Sequence, residues 1–267
     1  MLIKYKKCPN CGTYYEPTLE KCPHCYKHNE LYLNREISTS IAYLHPFAQL
    51  GLFLAGFSFV GMLLIQLTIF YIIDSFDLSE GVVDAIINTG TYLILLLTLA
   101  SIVFFTRRKY FFSKYKRGID YIYGIGYAVT LILMGSLIGN FISIFHETSD
   151  NINQTAAVSY SHNYPILAFF ILGIVGPVCE ELTYRVGLYS FLRRINKYLA
   201  IGVSAVIFAL IHFSFKQEAI INELWSLPSY LVSGVILALA YEHRGPACSM
   251  VAHILYNIFA FILILTV

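Results

Sequence analysis

Apolar residues along this chain gather into long stretches between isolated charges. With histidine ignored, seven stretches carry no charge: Ile37 to Ile73, Ala85 to Thr106, Tyr121 to Phe145, Asn151 to Cys179, Tyr198 to Phe215, Leu224 to Tyr241 and Gly245 to Val267. A helix rises about 1.5 Å per residue, so crossing a hydrocarbon layer of about 30 Å takes about 20 mostly apolar residues. Each stretch reaches or approaches that length. The pattern predicts an all-α polytopic membrane protein of about seven transmembrane helices, preceded by a polar, cysteine-rich head. The fifth and sixth stretches lie near the lower limit, which leaves a re-entrant or embedded segment open for either. Pro46 places the start of the first span after it.

Lys and Arg in the short connections alternate between many and none, which orients a membrane chain. Six precede the first span (Lys4, Lys6, Lys7, Lys21, Lys27, Arg35), and six more lie between Arg107 and Arg117. Arg193, Arg194 and Lys197 follow the fourth stretch, whereas the connections between these clusters have none. The alternation predicts a multi-pass protein of the cell membrane with a cytoplasmic amino terminus and an external carboxyl terminus. No cleavable signal peptide is visible in the polar first 36 residues. Asp74 to Asp84 is acidic and suggests a short external helix. The aromatic residues among the cations of 107–117 read as an ordinary cytoplasmic loop or as a contact with anionic lipid. Gly135 and Gly139 form a Gly-x-x-x-Gly that allows close helix approach.

Composition agrees with this reading. Hydrophobic residues make up 57% of the 267 and charged ones 13%, against roughly 45–50% and about 25% in soluble domains. A net charge of +2 lacks the basic excess that nucleic-acid binding needs, so no nucleic-acid partner is expected. The partners implied are a lipid bilayer and whatever the polar groups act on.

Cys8, Cys11, Cys22 and Cys25 form two Cys-x-x-Cys turns separated by ten residues. Two such turns can close a tetrahedral Zn²⁺ site, and they resemble the short zinc ribbons at the ends of many bacterial proteins. Gly12 follows the first knuckle as in such ribbons, whereas Tyr26 stands at the equivalent place in the second. About 30 residues bury too little apolar surface to fold alone, so metal binding would supply the folding energy. A reducing cytoplasm argues against two disulfides, and no βαβ pattern supports a redox role. A closed four-cysteine site has no open coordination position, which makes the ribbon structural or a grip for a protein partner.

Ionisable groups inside membrane helices are costly and usually face a cavity or perform chemistry. Glu180, Glu181 and Arg185 end the fourth stretch, His212 lies deep in the fifth, and His253 and Asn257 lie in the seventh. Residues four apart share a helix face, so Glu181 can pair with Arg185 while Glu180 points elsewhere. A hairpin turning near Asn196 puts Glu180 and His212 sixteen residues to either side, at equal depth. His253 and Asn257, also four apart, offer two N–H donors in one direction, as an oxyanion requires. Interhelical packing glue is the plainer alternative for that pair. Cys179 and Cys248 read as small buried hydrophobes rather than nucleophiles.

The three motifs, Glu180-Glu181-Leu-Thr-Tyr-Arg185, Phe208-Ala-Leu-Ile-His212 and His253-Ile-Leu-Tyr-Asn257, resemble those of the CPBP family. That family comprises CAAX-type proteases and bacteriocin-processing or bacteriocin-immunity membrane proteins, also called Abi. The resemblance covers about residues 165 to 267 and departs from the family in having Val186 before Gly187, which bears on local helix packing. It implies a non-metal, glutamate-dependent intramembrane endopeptidase in which Glu180 and His212 activate water. His253 and Asn257 would stabilise the oxyanion, and Glu181 with Arg185 would hold the site's geometry. A catalytic Zn²⁺ held by a Glu and two His is the alternative mechanism, and a non-catalytic scaffold or immunity factor the alternative function. A transporter is weakly supported, because no internal repeat is present. The organisation expected is a ribbon at 1–30, a linker at 31–40, amino-terminal membrane helices at 41–163 and a protease core at 164–267. The substrate implied is a membrane-associated peptide or protein, most simply unlipidated, in a bacterium.

Overall fold

The computed structural model describes residues 6–15, 19, 21–27, 41–42, 44–57, 59–73, 76, 78–146, 151–216 and 220–266. The linker expected at 31–40, together with Lys4, Arg35, Asp74 and Glu147, lies outside them. The chain divides into two compact units, Met1–Ser40 and Ile41–Val267.

In the first unit a two-stranded antiparallel pair, β1 (Lys6–Lys7) and β2 (Tyr14–Tyr15), presents the first knuckle between its strands. Both knuckles close alike: Gly12 N–H donates to the Cys8 carbonyl and Tyr26 N–H to the Cys22 carbonyl, each at 2.9 Å. Each closure turns the backbone left-handed, with φ of 74° at Gly12 and 57° at Tyr26.

The second unit is all helical: α1 (Pro46–Phe57), α2 (Phe59–Ile73), α3 (Glu80–Ser113), α4 (Gly118–Ser143), α5 (Ile152–Asn163), α6 (Pro165–Leu192), α7 (Lys197–Leu210), α8 (Ile220–Arg244) and α9 (Pro246–Thr266). Every uncharged stretch contains helix among its described residues. Among the described residues five helices, α3 from Gly81 together with α4, α6, α8 and α9, are long and apolar enough to cross a membrane. The first stretch is helical over Pro46–Phe57 and Phe59–Ile73, and the fifth yields the 14 residues of α7. At 1.5 Å per residue, α7 is about 21 Å long, short of a full crossing. The sixth exceeds its uncharged length because α8 extends through flanking Glu223, Glu242 and Arg244.

Two further expectations change. The acidic stretch does not form a separate helix where it is described: Asp84 lies within α3. The Gly-x-x-x-Gly is not where α4 meets its neighbour most tightly. A Cβ at Gly139 would touch nothing within 4 Å, and one at Gly135 would meet Tyr256 at 3.5 Å, an ordinary contact. At Gly124 it would come within 2.8 Å of Val251 and 2.9 Å of the Cys248 carbonyl on α9. The hairpin does turn at Asn196, whose side chain caps α7 by accepting from Tyr198 N–H at 2.8 Å and Leu199 N–H at 3.1 Å.

In the basic-aromatic segment α3 is kinked at Arg107 (φ −143°, ψ 47°). Phe111 is buried, and the Tyr110 hydroxyl donates to the Ile41 carbonyl, so part of the aromatic set packs inward. The turn ends of α6 and α8 are joined by Glu242, which takes Arg193 through three contacts of 2.8–3.1 Å and the Tyr189 hydroxyl at 2.7 Å.

Candidate functional site

Helix α6 is not uniformly α. Ile171–Val175 and Glu181–Tyr189 are π-helical, and the short α segment between them, Gly176–Glu180, ends on Glu180. Such widened turns leave backbone groups free and concentrate at functional sites. Asn257 uses one of them: its Nδ2 donates to the Leu172 carbonyl at 3.0 Å. Gly187 is what lets the second π segment lie on α1. A Cβ there would come within 2.8 Å of the Phe53 nitrogen and 3.0 Å of the Gln49 carbonyl. The departure at Val186 thus leaves close packing intact, with Val186 itself fully buried.

Glu180, His212, His253 and Asn257 line one cavity of about 480 Å³, which also takes in Tyr92, Phe208 and Tyr230. Glu181 and Arg185 stand behind it with no exposure. Arg185 Nε is 3.4 Å from Glu181 Oε1, the i,i+4 pair read from the sequence. The same oxygen accepts from His253 Nδ1 at 3.1 Å. Because a carboxylate only accepts, Nδ1 carries a proton, and His253 Nε2 faces the other carboxylate, 3.6 Å from Glu180 Oε2. That distance exceeds a hydrogen bond, and Glu180 Oε2 is buried without a hydrogen-bond partner in the protein. An unsatisfied buried oxygen on a cavity wall is a place for water.

His212 differs from expectation in its setting. It stands on the turn after α7 rather than deep in a helix, because α7 stops at Leu210. Its Nδ1 donates to the Phe208 carbonyl at 2.8 Å, which satisfies one of the free carbonyls of that helix end and leaves Nε2 with its lone pair. Its ring stacks on Tyr230 with centroids 4.4 Å apart and planes 19° apart.

Two residues that sequence reasoning passed over organise this set. Phe208 touches the rings of His212 (4.9 Å) and His253 (5.8 Å) and lies under the Arg185 guanidinium (4.5 Å). Its signal was its place one turn before His212. Tyr230 carries no such signal, being one tyrosine of 21.

In the first unit the four cysteine sulfurs lie within 4.8 Å of one another, the only such group of three or more metal-ligating residues among the described residues. Cys8 and Cys25, and Cys11 and Cys22, are each 3.6 Å apart. Tetrahedral Zn–S bonds of about 2.3 Å would separate sulfurs by about 3.8 Å, so the cradle fits such an ion, while all four cysteines are free thiols. The Thr13 side chain beside Cys11 holds that thiol down at about 5, on the thiolate side at neutral pH, as a ligand requires.

Residues 162–259 match the family described as type II CAAX prenyl endopeptidase Rce1-like. They contain all six motif residues, so the likeness to that family covers the whole of the candidate site. Two relatives come from Lactococcus lactis subsp. lactis (strain IL1403). UPF0177 protein YvdC is 29% identical over 142 residues, 53% of this chain and 51% of its own length. UPF0177 protein YxdF is 31% identical over 135 residues, 50% of this chain and 66% of its own. The alignments thus span about half of YvdC and just under two thirds of YxdF. No solved structure matches.

Proposed function

We propose that the protein is an intramembrane endopeptidase that hydrolyses a peptide bond of a membrane-associated peptide or protein. Glu180 takes a proton from a water in the cavity, with His212 Nε2 as the second basic group, and the water oxygen attacks the scissile carbonyl. His253, doubly protonated between the two carboxylates, donates Nε2–H to the resulting oxyanion together with the second N–H of Asn257. Glu181, fixed by Arg185, orients His253 through Nδ1, as a buried carboxylate orients a catalytic histidine elsewhere. The proton then passes to the leaving amine, and the product carboxylate departs. The observation that carries this reading is the buried, unsatisfied Glu180 Oε2 on the wall of a cavity shared with His212, His253 and Asn257.

The same geometry favours metal-free catalysis. His253 offers a different ring nitrogen to each carboxylate, so it bridges the two rather than turning both nitrogens to one ion. In this reading the ribbon holds structural Zn²⁺ on the cytoplasmic side of a bacterial membrane and is a candidate grip for a protein partner. Peptide-precursor or bacteriocin processing, with self-immunity as a consequence, is the substrate class proposed.

Comparative peptidomics of membranes and medium from a deletion strain carrying wild type, Glu180→Gln or His212→Ala tests the reading. Peptides that appear only with wild type establish proteolysis and name the substrate. Identical peptides in all three strains, with both variants still complementing a phenotype, make the protein a scaffold. The metal question is answered with the ribbon-deleted protein: activity that chelation abolishes and Zn²⁺ restores would overturn the metal-free mechanism.

A further inference from the structure

In the sequence Glu223 is only the charge before the sixth uncharged stretch. In the fold it is 1% exposed, and each of its oxygens takes a backbone N–H from a different element. Oε1 accepts from Ile152, the first residue of α5, at 2.9 Å, and Oε2 from Ser214, two residues after His212, at 3.1 Å. The first bond satisfies an N–H that α5 cannot use itself, at a helix end that favours a negative charge. The second fixes the backbone that carries His212 out of α7. Two turns along α8, Tyr230 repeats the grip: its ring stacks on His212, and its hydroxyl accepts from Asn151 Nδ2 at 3.2 Å and Asn153 Nδ2 at 3.3 Å. Helix α5 also forms a wall of the cavity through Asn153, Gln154, Tyr160 and Ser161.

We propose that Glu223 is the positioning residue for His212, holding the histidine turn and the α5 wall in one register across the cavity. This rests on His212 being part of the reaction as described above. Glu223 does not line the cavity, so it acts through His212 rather than on substrate. The role calls for a carboxylate. Two N–H donors converge on two oxygens, and an amide would turn its own NH₂ toward one of them, leaving two donors face to face in a buried place.

The test uses the full chain in lipid nanodiscs, labelled at histidine, as wild type, Glu223→Gln, Glu223→Asp and Thr89→Val. The His212 ring signal is identified by its loss in His212→Ala. Thr89→Val removes a different tie of α5, the 2.8 Å bond between Thr89 and Tyr160, and measures what loosening the fold does alone. Glu223→Gln is expected to shift or split the His212 signal while that of His243, on the Tyr127 hydroxyl, stays in place. On a synthetic peptide library read by mass spectrometry, kcat should fall about 10- to 100-fold with KM changed less than about threefold. Glu223→Asp, which keeps both oxygens on a shorter arm, should fall between, and Thr89→Val should lower Tm without moving His212. If Glu223→Gln lowers Tm while the His212 signal and kcat stay as in wild type, Glu223 only braces the fold and the proposal fails. Should wild type cleave nothing in the library, the functional reading fails instead, and the His212 signal alone decides the positioning.

Discussion

Tyr26 adopts a backbone that glycine adopts without cost at the matching place in the other knuckle. For an L-residue the left-handed region crowds Cβ against the following carbonyl by about 1–2 kcal/mol. Tyr26→Gly should therefore tighten the ribbon by about 1 kcal/mol, partly offset by the freedom glycine gains when unfolded. The readout is a zinc dissociation constant lowered several-fold in the full chain. In the cavity Asn257 gives one amide N–H to the Leu172 carbonyl, and in the proposed mechanism the other goes to the oxyanion. Removing an oxyanion donor commonly costs about 10²–10³ in kcat, so Asn257→Ala should lose that factor with KM little changed. An equal loss in kcat and gain in KM would place Asn257 in substrate binding instead. Glu180, His212, His253 and Asn257 were all legible as candidates, because polar side chains stand out in apolar stretches. The partners were not: which oxygen meets which ring nitrogen depends on π-helical turns that no spacing rule anticipates.

Helix contacts depend on where backbones meet, and three glycines mark those places. Besides Gly124 and Gly187, Gly234 of α8 lies against α7 so closely that a Cβ would come within 2.9 Å of Ala205 Cα. Overpacking of a close-packed contact costs about 1–3 kcal/mol. Gly187→Ala and Gly234→Ala should each lower Tm in detergent, while Gly139→Ala, which opens on empty space, should leave Tm unchanged. A matching loss from Gly139→Ala would mean that lipid contact, not interhelical fit, sets the effect, since alanine is the better helix former. The Glu242–Arg193 pair belongs to the same scale. It joins the ends of two helices distant in sequence, with Glu242 buried, and stripping one partner from a buried pair costs about 3–5 kcal/mol. Glu242→Ala should destabilise the helical unit by an amount at the low end of that range, since Arg193 keeps some access to water.

The chain is two units, one built around a four-cysteine group that could hold a metal ion and one a helical body with its own core. Chelation should therefore unfold residues 6–27 and leave the helices folded. Hydrogen exchange on the full chain would show fast exchange confined to the head, and loss of protection in α6 to α9 would mean that the helices depend on the metal. Helical runs, the four-cysteine set and the family motifs followed from the sequence alone. Burial of long uncharged stretches, paired thiolates and polar groups in apolar surroundings are each dictated by local composition and spacing. Which stretches are long enough to span was decided by tertiary structure, since Asn196 and the His212 turn cut α7 to 14 residues while α8 runs on through its flanking charges. So was the role of Glu223, whose two bonds reach 71 and 9 residues back along the chain. A charge next to an apolar run looks the same in sequence whether it meets water or two buried N–H groups, and only the packing of α5, α7 and α8 distinguishes them.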